Sequence, residues 1–245
     1  MDIRVGCSGW YYRHWHGCFY PQELSSHKWF AHYRRSFNTV ELNAPFYRWP
    51  QPSTVKRWLR DAHRNFVYSV KVNGEITHDR RFQGTRKLIR EFCSLGEVLG
   101  KHMGAFLFQM PPSFRYTPAR LRRILNQLDP RWTNVLEFRH RGWWNDEAFA
   151  IIREASDASE GGVLFCCTSG PRLPDTLVKT GLDVYIRFHG VKRWYRHDYS
   201  REELEGWAER ITTCGARRVY CYFNNDRDAY AIKNARLLRR LLKEA

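Results

Sequence analysis

The segment Asp183-Val184-Tyr185-Ile186-Arg187-Phe188-His189 is a short apolar run that ends in two polar side chains, Arg187 and His189. In a β-strand, residues i and i+2 point to the same face, so both side chains lie on one side of the strand at its C-terminal end. Two further runs share this pattern: Thr39-Val40-Glu41-Leu42-Asn43 and Asn134-Val135-Leu136-Glu137-Phe138-Arg139. Several such runs, each followed by a helix, predict a closed parallel barrel with polar groups at one mouth.

Strand and helix signals alternate along the whole chain. Strands are predicted at 3–8, 39–44, 66–72, 104–110, 134–138, 162–168, 184–188 and 219–223. Helices are predicted after the caps Ser25-Ser26, Ser53, Thr117-Pro118 and Ser200, and over 84–99 and 233–243. A further helix is predicted to start at Asn145-Asp146-Glu147, with acidic residues at its positive end. The crossover 171–181 is short and irregular. The 245 residues are close to the roughly 250 of an eightfold barrel. We therefore predict an α/β fold, a single-domain TIM-type (β/α)8 barrel over residues 1–245.

The composition is that of a globular protein. Hydrophobic residues make up 43% of the chain and aromatic residues 16%, which argues against disorder. No apolar run approaches the roughly 20 residues that cross a bilayer. The start, Met1-Asp2-Ile3-Arg4-Val5, leads directly into a strand without a signal peptide. The seven cysteines are scattered without a Cys-x-x-Cys pair, which is typical of reduced, mostly buried thiols. We therefore expect a cytoplasmic protein without membrane contact.

The charge balance is strongly basic. Lysine and arginine number 41 against 25 acidic residues, giving a formal charge of +16. Such a field attracts polyanions and accelerates their encounter with the protein. Alternatively, arginines on outer helices only solvate the surface, as the amphipathic pattern of 233–243 suggests. Nucleic-acid binding therefore stays open at this level, as does the oligomeric state.

The chain resembles a known family through motifs that follow the strands in order. They are Gly6-Cys7-Ser8-Gly9-Trp10, Phe37-Asn38-Thr39-Val40-Glu41-Leu42-Asn43-Ala44-Pro45-Phe46-Tyr47-Arg48, Ile76-Thr77-His78, Phe108-Gln109-Met110-Pro111-Pro112-Ser113-Phe114, Glu137-Phe138-Arg139-His140, Arg187-Phe188-His189-Gly190 and Tyr222-Phe223-Asn224-Asn225-Asp226. The series is similar to the YecE-like family, domain of unknown function 72. The resemblance implies a TIM-type barrel and no established activity. The family often has an acidic residue where this chain has Thr168.

Active sites of such barrels lie at the C-terminal mouth. The candidate residues at strand ends and in the loops after them are Ser8, Trp10, Glu41, Asn43, Tyr47, Lys71, His78, Gln109, Glu137, Arg139, His140, Thr168, Arg187, His189, Asn224 and Asn225. Burying such groups is costly unless they pair. They form either a self-neutralising network or a preorganised site for an anion or polyol. We predict the second, with Glu41, Lys71, Glu137, Arg139, Arg187 and His189 converging on one pocket.

Chemical roles follow from the residue types. Lys71, Arg139 and Arg187 suit a phosphate or carboxylate group, which the arginines can contact with two donors. Glu41 and Glu137 are candidate acid and base. Histidines that could take the same role are His78, His140 and His189. Two carboxylates against three cations leave one excess positive charge, which favours an anion in the pocket.

A metal site is a weaker interpretation. His78, Glu137 and His189 together would suit zinc or manganese. However, the chain has no closely spaced pair of histidine ligands, and two nearby arginines would repel a cation. Neither a Walker-type phosphate loop nor a Rossmann glycine motif after a strand is present. We therefore predict neither a bound metal nor a cofactor.

Three functions remain open. The first is binding of an anionic ligand, phosphate-containing or nucleic acid, at the mouth, with hydrolysis of that ligand as an extension. The second is an enzyme that acts on a sugar-like or other polar metabolite. The third is a non-catalytic nucleic-acid-binding module. Aromatic residues in the mouth loops suit stacking on bases or sugar faces, but they equally suit covering the barrel end.

Overall fold

Eight parallel strands form one sheet in the computed structural model, which describes residues 1–244. The strands are β1 Asp2–Cys7, β2 Thr39–Leu42, β3 Val67–Lys71, β4 Met103–Gln109, β5 Asn134–Glu137, β6 Val163–Ser169, β7 Asp183–Phe188 and β8 Arg218–Phe223. Their order is β1-β8-β7-β6-β5-β4-β3-β2, and all neighbours pair in parallel. The predicted barrel of the TIM type is confirmed, and each strand lies within two residues of its predicted bounds.

Helices alternate with the strands everywhere except before β7. They are α1 Trp29–Ser36, α2 Ala44–Tyr47, α3 Pro52–Asp61, α4 Arg86–Cys93, α5 Leu95–Leu99, α6 Pro118–Leu125, α7 Asp146–Asp157, α8 Arg201–Thr213 and α9 Tyr230–Glu244. The crossover from β6 to β7, residues 170–182, lies wholly within the described part of the chain and contains no helix. The single helix predicted over 84–99 is divided at Ser94, whose hydroxyl bonds to the Glu91 carbonyl. Over the described residues, no helix has the length and apolar character needed to span a membrane.

The helix starts follow the capping signals in part. Side-chain caps form as predicted at Thr117 and Ser200, and Asn145 caps the helix start predicted at 145–147. The cap predicted at Ser53 is wrong, because α3 begins one residue earlier, with Gln51 as N-cap and Pro52 in the first turn. Proline is favoured there because it has no N–H to leave unsatisfied. The Ser25-Ser26 cap is also wrong: Ser26–Lys28 forms a 3-10 turn that leads into α1 without a side-chain cap.

The two faces of each strand pack into separate cores. A small cluster fills the inside of the barrel: Ala105, Leu107, Val135, Leu164, Cys166, Tyr185, Tyr220 and Tyr222. The opposite face packs under the helices in a much larger cluster, so Cys166 and Cys167 point to different sides, as the strand alternation predicts. All seven cysteines are free thiols, and five of them are buried. Inside the barrel, apolar residues give way to polar ones toward the C-terminal ends of the strands.

The barrel closes between β1 and β2 through a side chain instead of a strand ladder. The Tyr33 hydroxyl accepts a hydrogen bond from the Cys7 N–H at 2.8 Å and donates one to the Thr39 carbonyl at 3.0 Å. The strands nearly touch below it, since a Cβ on Gly6 would lie 2.4 Å from the Thr39 carbonyl oxygen. Tyr33 therefore satisfies backbone groups that a direct ladder would have paired.

Candidate functional site

Arg187 at the end of β7 bridges two glutamates from opposite sides of the barrel. Its Nη1 lies 2.5 Å from Glu137 Oε2 on β5, and its Nη2 lies 2.5 Å from Glu41 Oε1 on β2. All three side chains are buried. Burial lowers the pKa of Arg187, but the two carboxylates outweigh burial and hold this pKa well above its ordinary value. The guanidinium therefore stays charged and offsets one of the two carboxylate charges at the mouth.

Glu41 has both oxygens occupied. Ser8 Oγ donates to Oε1 at 2.7 Å, in addition to Arg187, and the Tyr185 hydroxyl donates to Oε2 at 2.7 Å. Tyr185 was not among the residues predicted for the site. Its position two residues before Arg187, on the same face of β7, is the sequence signal that could have found it.

Glu137 is held as a carboxylate by three neighbours. Besides Arg187, its Oε1 lies 2.6 Å from Arg139 Nε and 3.0 Å from His189 Nε2. Burial by itself raises the pKa of Glu137. Arg139 and Arg187 outweigh burial, and a hydrogen bond from His189 adds to their effect, so this pKa lies well below its ordinary value. At neutral pH Glu137 therefore carries no proton that it could donate as a general acid.

His189 completes the floor as a neutral ring. Burial lowers the pKa of His189, and the positive charges of Arg139 and Arg187 lower it further, to well below the ordinary value. Its Nε2 faces Glu137, while its Nδ1 lies 3.3 Å from the Asn224 side-chain nitrogen. Nε2 lies between two partners, the Glu137 carboxylate and Arg139 Nη2, each at 3.0 Å, so the ring can donate to the first or accept from the second.

Lys71 at the end of β3 lies beside this network without joining it. Its side chain is 9% exposed, and Nζ sits 3.9 Å from the centre of the Phe46 ring. Across residues 1–244, Nζ has neither a hydrogen-bond acceptor nor a carboxylate within ion-pair distance. Burial and then Arg187 lower the pKa of Lys71 to about 7, against the opposing effect of Glu137 and Glu41. Lys71 is therefore charged in only part of the molecules at neutral pH.

Arg139, after β5, packs against the loop that follows β7. Its guanidinium stacks on the Trp194 ring, 4.4 Å from the ring centre, and Nη2 lies 3.0 Å from His189 Nε2. Nη1 has no hydrogen-bond acceptor within the described part of the chain. Arg139 thus keeps donors available to a ligand, whereas Arg187 has both terminal nitrogens committed to glutamates.

Further polar groups line the space around Lys71. His78 is half-buried, accepts or donates at Nδ1 to Thr77 Oγ1 at 2.9 Å, and lies against the same Phe46 ring. Burial lowers the pKa of His78, and Lys71 lowers it further. Gln109 donates to the Met110 carbonyl. Phe46 itself was not among the candidates; it lies on α2, in the motif segment that follows β2.

Asn43 and Thr168 bind mainly to the surrounding backbone. The Asn43 side-chain nitrogen lies 3.3 Å from the Ser8 carbonyl, and its buried Oδ1 has no partner within residues 1–244. Thr168 is fully buried, and its hydroxyl donates to the Cys166 carbonyl. Neither residue contacts the Glu41–Arg187–Glu137 bridge through a side-chain hydrogen bond.

Two candidates serve neighbouring structure instead of the pocket. The Asn225 side-chain nitrogen donates to Asn234 Oδ1 on α9, at 2.6 Å, so this residue anchors the last helix. His140 Nδ1 accepts the Gly142 N–H and caps the 3-10 turn after β5. Sequence position alone cannot distinguish these roles, because both residues directly follow residues that do reach the pocket.

Aromatic residues form the rim of the mouth. Trp10 is half-buried against Phe30, with ring centres 4.8 Å apart. Tyr47 is 80% exposed, and Tyr11 and Tyr195 are also exposed. Tyr47 is the last residue of α2, after β2, and Tyr11 and Tyr195 lie in the segments that follow β1 and β7.

The three-residue metal set is not assembled. Glu137 and His189 are in contact, whereas His78 packs against Phe46 and forms no hydrogen bond to either of them within the described residues. Across residues 1–244, no cluster of three or more histidine, cysteine or acidic residues could hold a metal ion. Arg139 and Arg187, which lie beside Glu137, would repel a metal ion.

Curated proteins are similar to this chain in sequence, one of them over nearly its whole length. The UPF0759 protein YunF of Bacillus subtilis is 26% identical across 98% of this chain and 94% of its own length. The UPF0759 protein YecE of Escherichia coli K12 is 31% identical across 44% of this chain and 40% of its own length.

Two solved structures show the same fold. The crystal structure of a DUF72 family protein (TM1631) from Thermotoga maritima matches with a TM-score of 0.89 at 24% identity, over 99% of this chain and 100% of the other. A DUF72 family protein (EF0366) from Enterococcus faecalis matches with a TM-score of 0.84 at 19% identity, over 98% and 95%. The family described as "Protein of unknown function DUF72" matches residues 4–245. This chain therefore belongs to the DUF72 family.

Proposed function

We propose that the mouth of this barrel binds an anionic ligand through a phosphate or carboxylate group. The observation that carries the proposal is Lys71, a buried amine with no carboxylate partner among the described residues. A buried ammonium is costly unless an anion compensates it. Within the described residues, neither Glu41 nor Glu137 lies within ion-pair distance of Nζ; both contact Arg187. A ligand oxygen would supply the missing partner.

Arg139 supports the same proposal, because it is the second cation at the mouth with donors that no glutamate occupies. Its stacking on Trp194 fixes the guanidinium plane, and an anion bound to it gains a preorganised donor. A divalent cation would instead meet two arginines and a lysine. The charge at this end of the barrel therefore favours an anion over a metal ion.

Hydrolysis of the bound ligand is the catalytic extension of this proposal. It needs a group that accepts a proton near neutral pH. Every oxygen of Glu41 and Glu137 is already engaged, whereas burial lowers the pKa values of Lys71 and His78. We therefore assign proton transfer to these two residues and a positioning role to the glutamates.

Sulfate titration by calorimetry tests the binding proposal. We expect the Lys71→Met and Arg139→Gln variants to bind sulfate about tenfold more weakly than the unmodified protein, a loss of about 1.4 kcal/mol. Removal of a charged hydrogen-bond donor has an effect of this size. Arg141→Gln is the matched control, because Arg141 is an exposed arginine in the same loop, two residues after Arg139.

The control should bind sulfate as the unmodified protein does. Circular dichroism establishes that Arg139→Gln remains folded, since Arg139 also contacts Glu137. If both variants retain their affinity, or if Arg141→Gln weakens binding as much as they do, the anion is bound outside this mouth and the proposal fails.

Nucleic acid is a second candidate ligand, favoured by the loop after β7. Lys192, Arg193 and Arg196 are exposed there, and none forms an ion pair within residues 1–244. Between them stands the exposed Tyr195. Unpaired cations next to an exposed ring suit a phosphate backbone and a stacked base.

Retention on a single-stranded oligonucleotide tests this candidate. We expect retention that weakens with rising salt, and a clear loss when Lys192, Arg193 and Arg196 are all changed to glutamine. The matched control changes Arg236, Arg240 and Lys243 on α9, which removes the same charge from another face. Equal losses in the two triple variants would indicate a general charge effect and argue against a nucleic-acid site on the β7 loop.

A further inference from the structure

Lys71 differs from an ordinary anion-binding lysine in how little the protein does to keep it charged. It is buried beside an aromatic ring, its like-charged neighbours are Arg187 and Arg139, and both nearby glutamates are already engaged. Lys71 is 9% exposed, and its Nζ has no hydrogen-bond partner within the described residues, so no protein group occupies its lone pair.

We propose that Lys71 is a nucleophilic amine that forms an imine with the carbonyl group of an anionic oxo compound, such as a 2-oxo acid. This inference rests on the proposed anion site, because Arg139 would hold the acid group of the same ligand. A lysine that is desolvated next to other cations is the environment in which amine nucleophiles are activated. The lowered pKa of Lys71, about 7, agrees with this geometry.

His78 is placed to move the protons of this reaction. Its ring and Lys71 Nζ both contact Phe46, at 4.9 Å and 3.9 Å from the ring centre. Burial keeps the pKa of His78 below its ordinary value, so the ring is a proton acceptor at neutral pH. Thr77 holds its Nδ1, which leaves Nε2 for the relay.

The step is balanced without any further reactant. The Lys71 nitrogen attacks the carbonyl carbon, and one of its two amine protons passes through His78 to the carbonyl oxygen to give a carbinolamine, in which the nitrogen keeps the other proton. A proton lost by the nitrogen passes through His78 to the departing hydroxyl group, which leaves as water. The nitrogen lone pair then closes the C=N bond. One amine and one carbonyl thus give one imine and one water molecule.

Reductive trapping with pyruvate tests the inference on the full-length protein. With sodium cyanoborohydride as hydride donor, we expect one adduct, heavier by pyruvic acid less one oxygen atom, on the peptide that contains Lys71. Lys71→Met should abolish this adduct, and His78→Gln should slow its formation. Lys101→Met is the matched control, because Lys101 is an exposed lysine in the 3-10 turn before β4, at the opposite end of the barrel.

The results separate this inference from the anion site itself. If sulfate binds with the predicted dependence on Lys71 and Arg139 but pyruvate does not label Lys71, the anion site stands and the imine chemistry is overturned. Labelling spread evenly over the exposed lysines overturns it as well. Failure of both sulfate binding and labelling would remove the two proposals together.

Discussion

Replacing Arg187 with methionine is expected to lower the free energy of unfolding by about 3–5 kcal/mol. The substitution keeps most of the side-chain volume but removes the charge between Glu41 and Glu137, both fully buried. Two carboxylates would then lie in the barrel interior, with Arg139 the nearest remaining cation at Glu137. Urea denaturation followed by circular dichroism at neutral pH measures the loss.

An exposed ion pair provides the matched control. Arg201 Nε lies 2.7 Å from Glu205 Oε1 on the surface of α8, and Arg201→Met should cost no more than about 1 kcal/mol. Adding Glu41→Gln to Arg187→Met should recover part of the stability, because it removes one uncompensated charge. A loss for Arg187→Met as small as that of Arg201→Met would show that the bridge is not the stabilising centre of the mouth.

Much of the fold could be predicted because its periodicity is local. Alternation within runs such as 183–189 identifies a strand and the side of each residue, and eight such runs separated by helices leave few topologies other than a barrel. The β1–β2 closure could not be predicted, because it depends on Tyr33, which reaches across from α1. The division of the 84–99 helix lies likewise at one side chain, Ser94, whose hydroxyl donates to the Glu91 carbonyl.

The sequence predicts which residues lie near one another at the candidate site better than it predicts which partner each one contacts. Strand parity brings Glu41, Glu137 and Arg187 to one level of the barrel, and the structure joins them directly. Parity does not show which cation faces which carboxylate. The sequence therefore does not distinguish the roles of Arg187 and Lys71. In the structure both glutamates contact Arg187, whereas Lys71 has no partner within the described residues. Sequence position also does not separate Asn224 from Asn225. The Asn224 side chain contacts His189, whereas the Asn225 side chain donates to Asn234 on α9.

Sulfate affinity is expected to fall about tenfold as the pH rises from 6 to 8. The pKa of Lys71, about 7 in the free protein, makes the ammonium form dominant at the lower pH and the neutral amine dominant at the higher pH. Only the ammonium attracts the anion, and sulfate keeps its own charge over this range. A bound anion favours protonation of Lys71, so sulfate binding is strongest below the pKa of Lys71 and is lost above it.

The other charged groups that face Lys71 do not produce the same profile. They are Glu41, Glu137, Arg139, His78 and Arg187. Arg187 and Glu137 keep their charges throughout, since the pKa of the first is raised and that of the second is lowered. The pKa of His78 lies below its ordinary value, so its titration belongs to the acid side of the range. Calorimetry should therefore give a flat pH profile for Lys71→Met and an unchanged slope for His78→Gln. A slope that persists without Lys71 would assign the titration to another group and contradict the role of this lysine in anion binding.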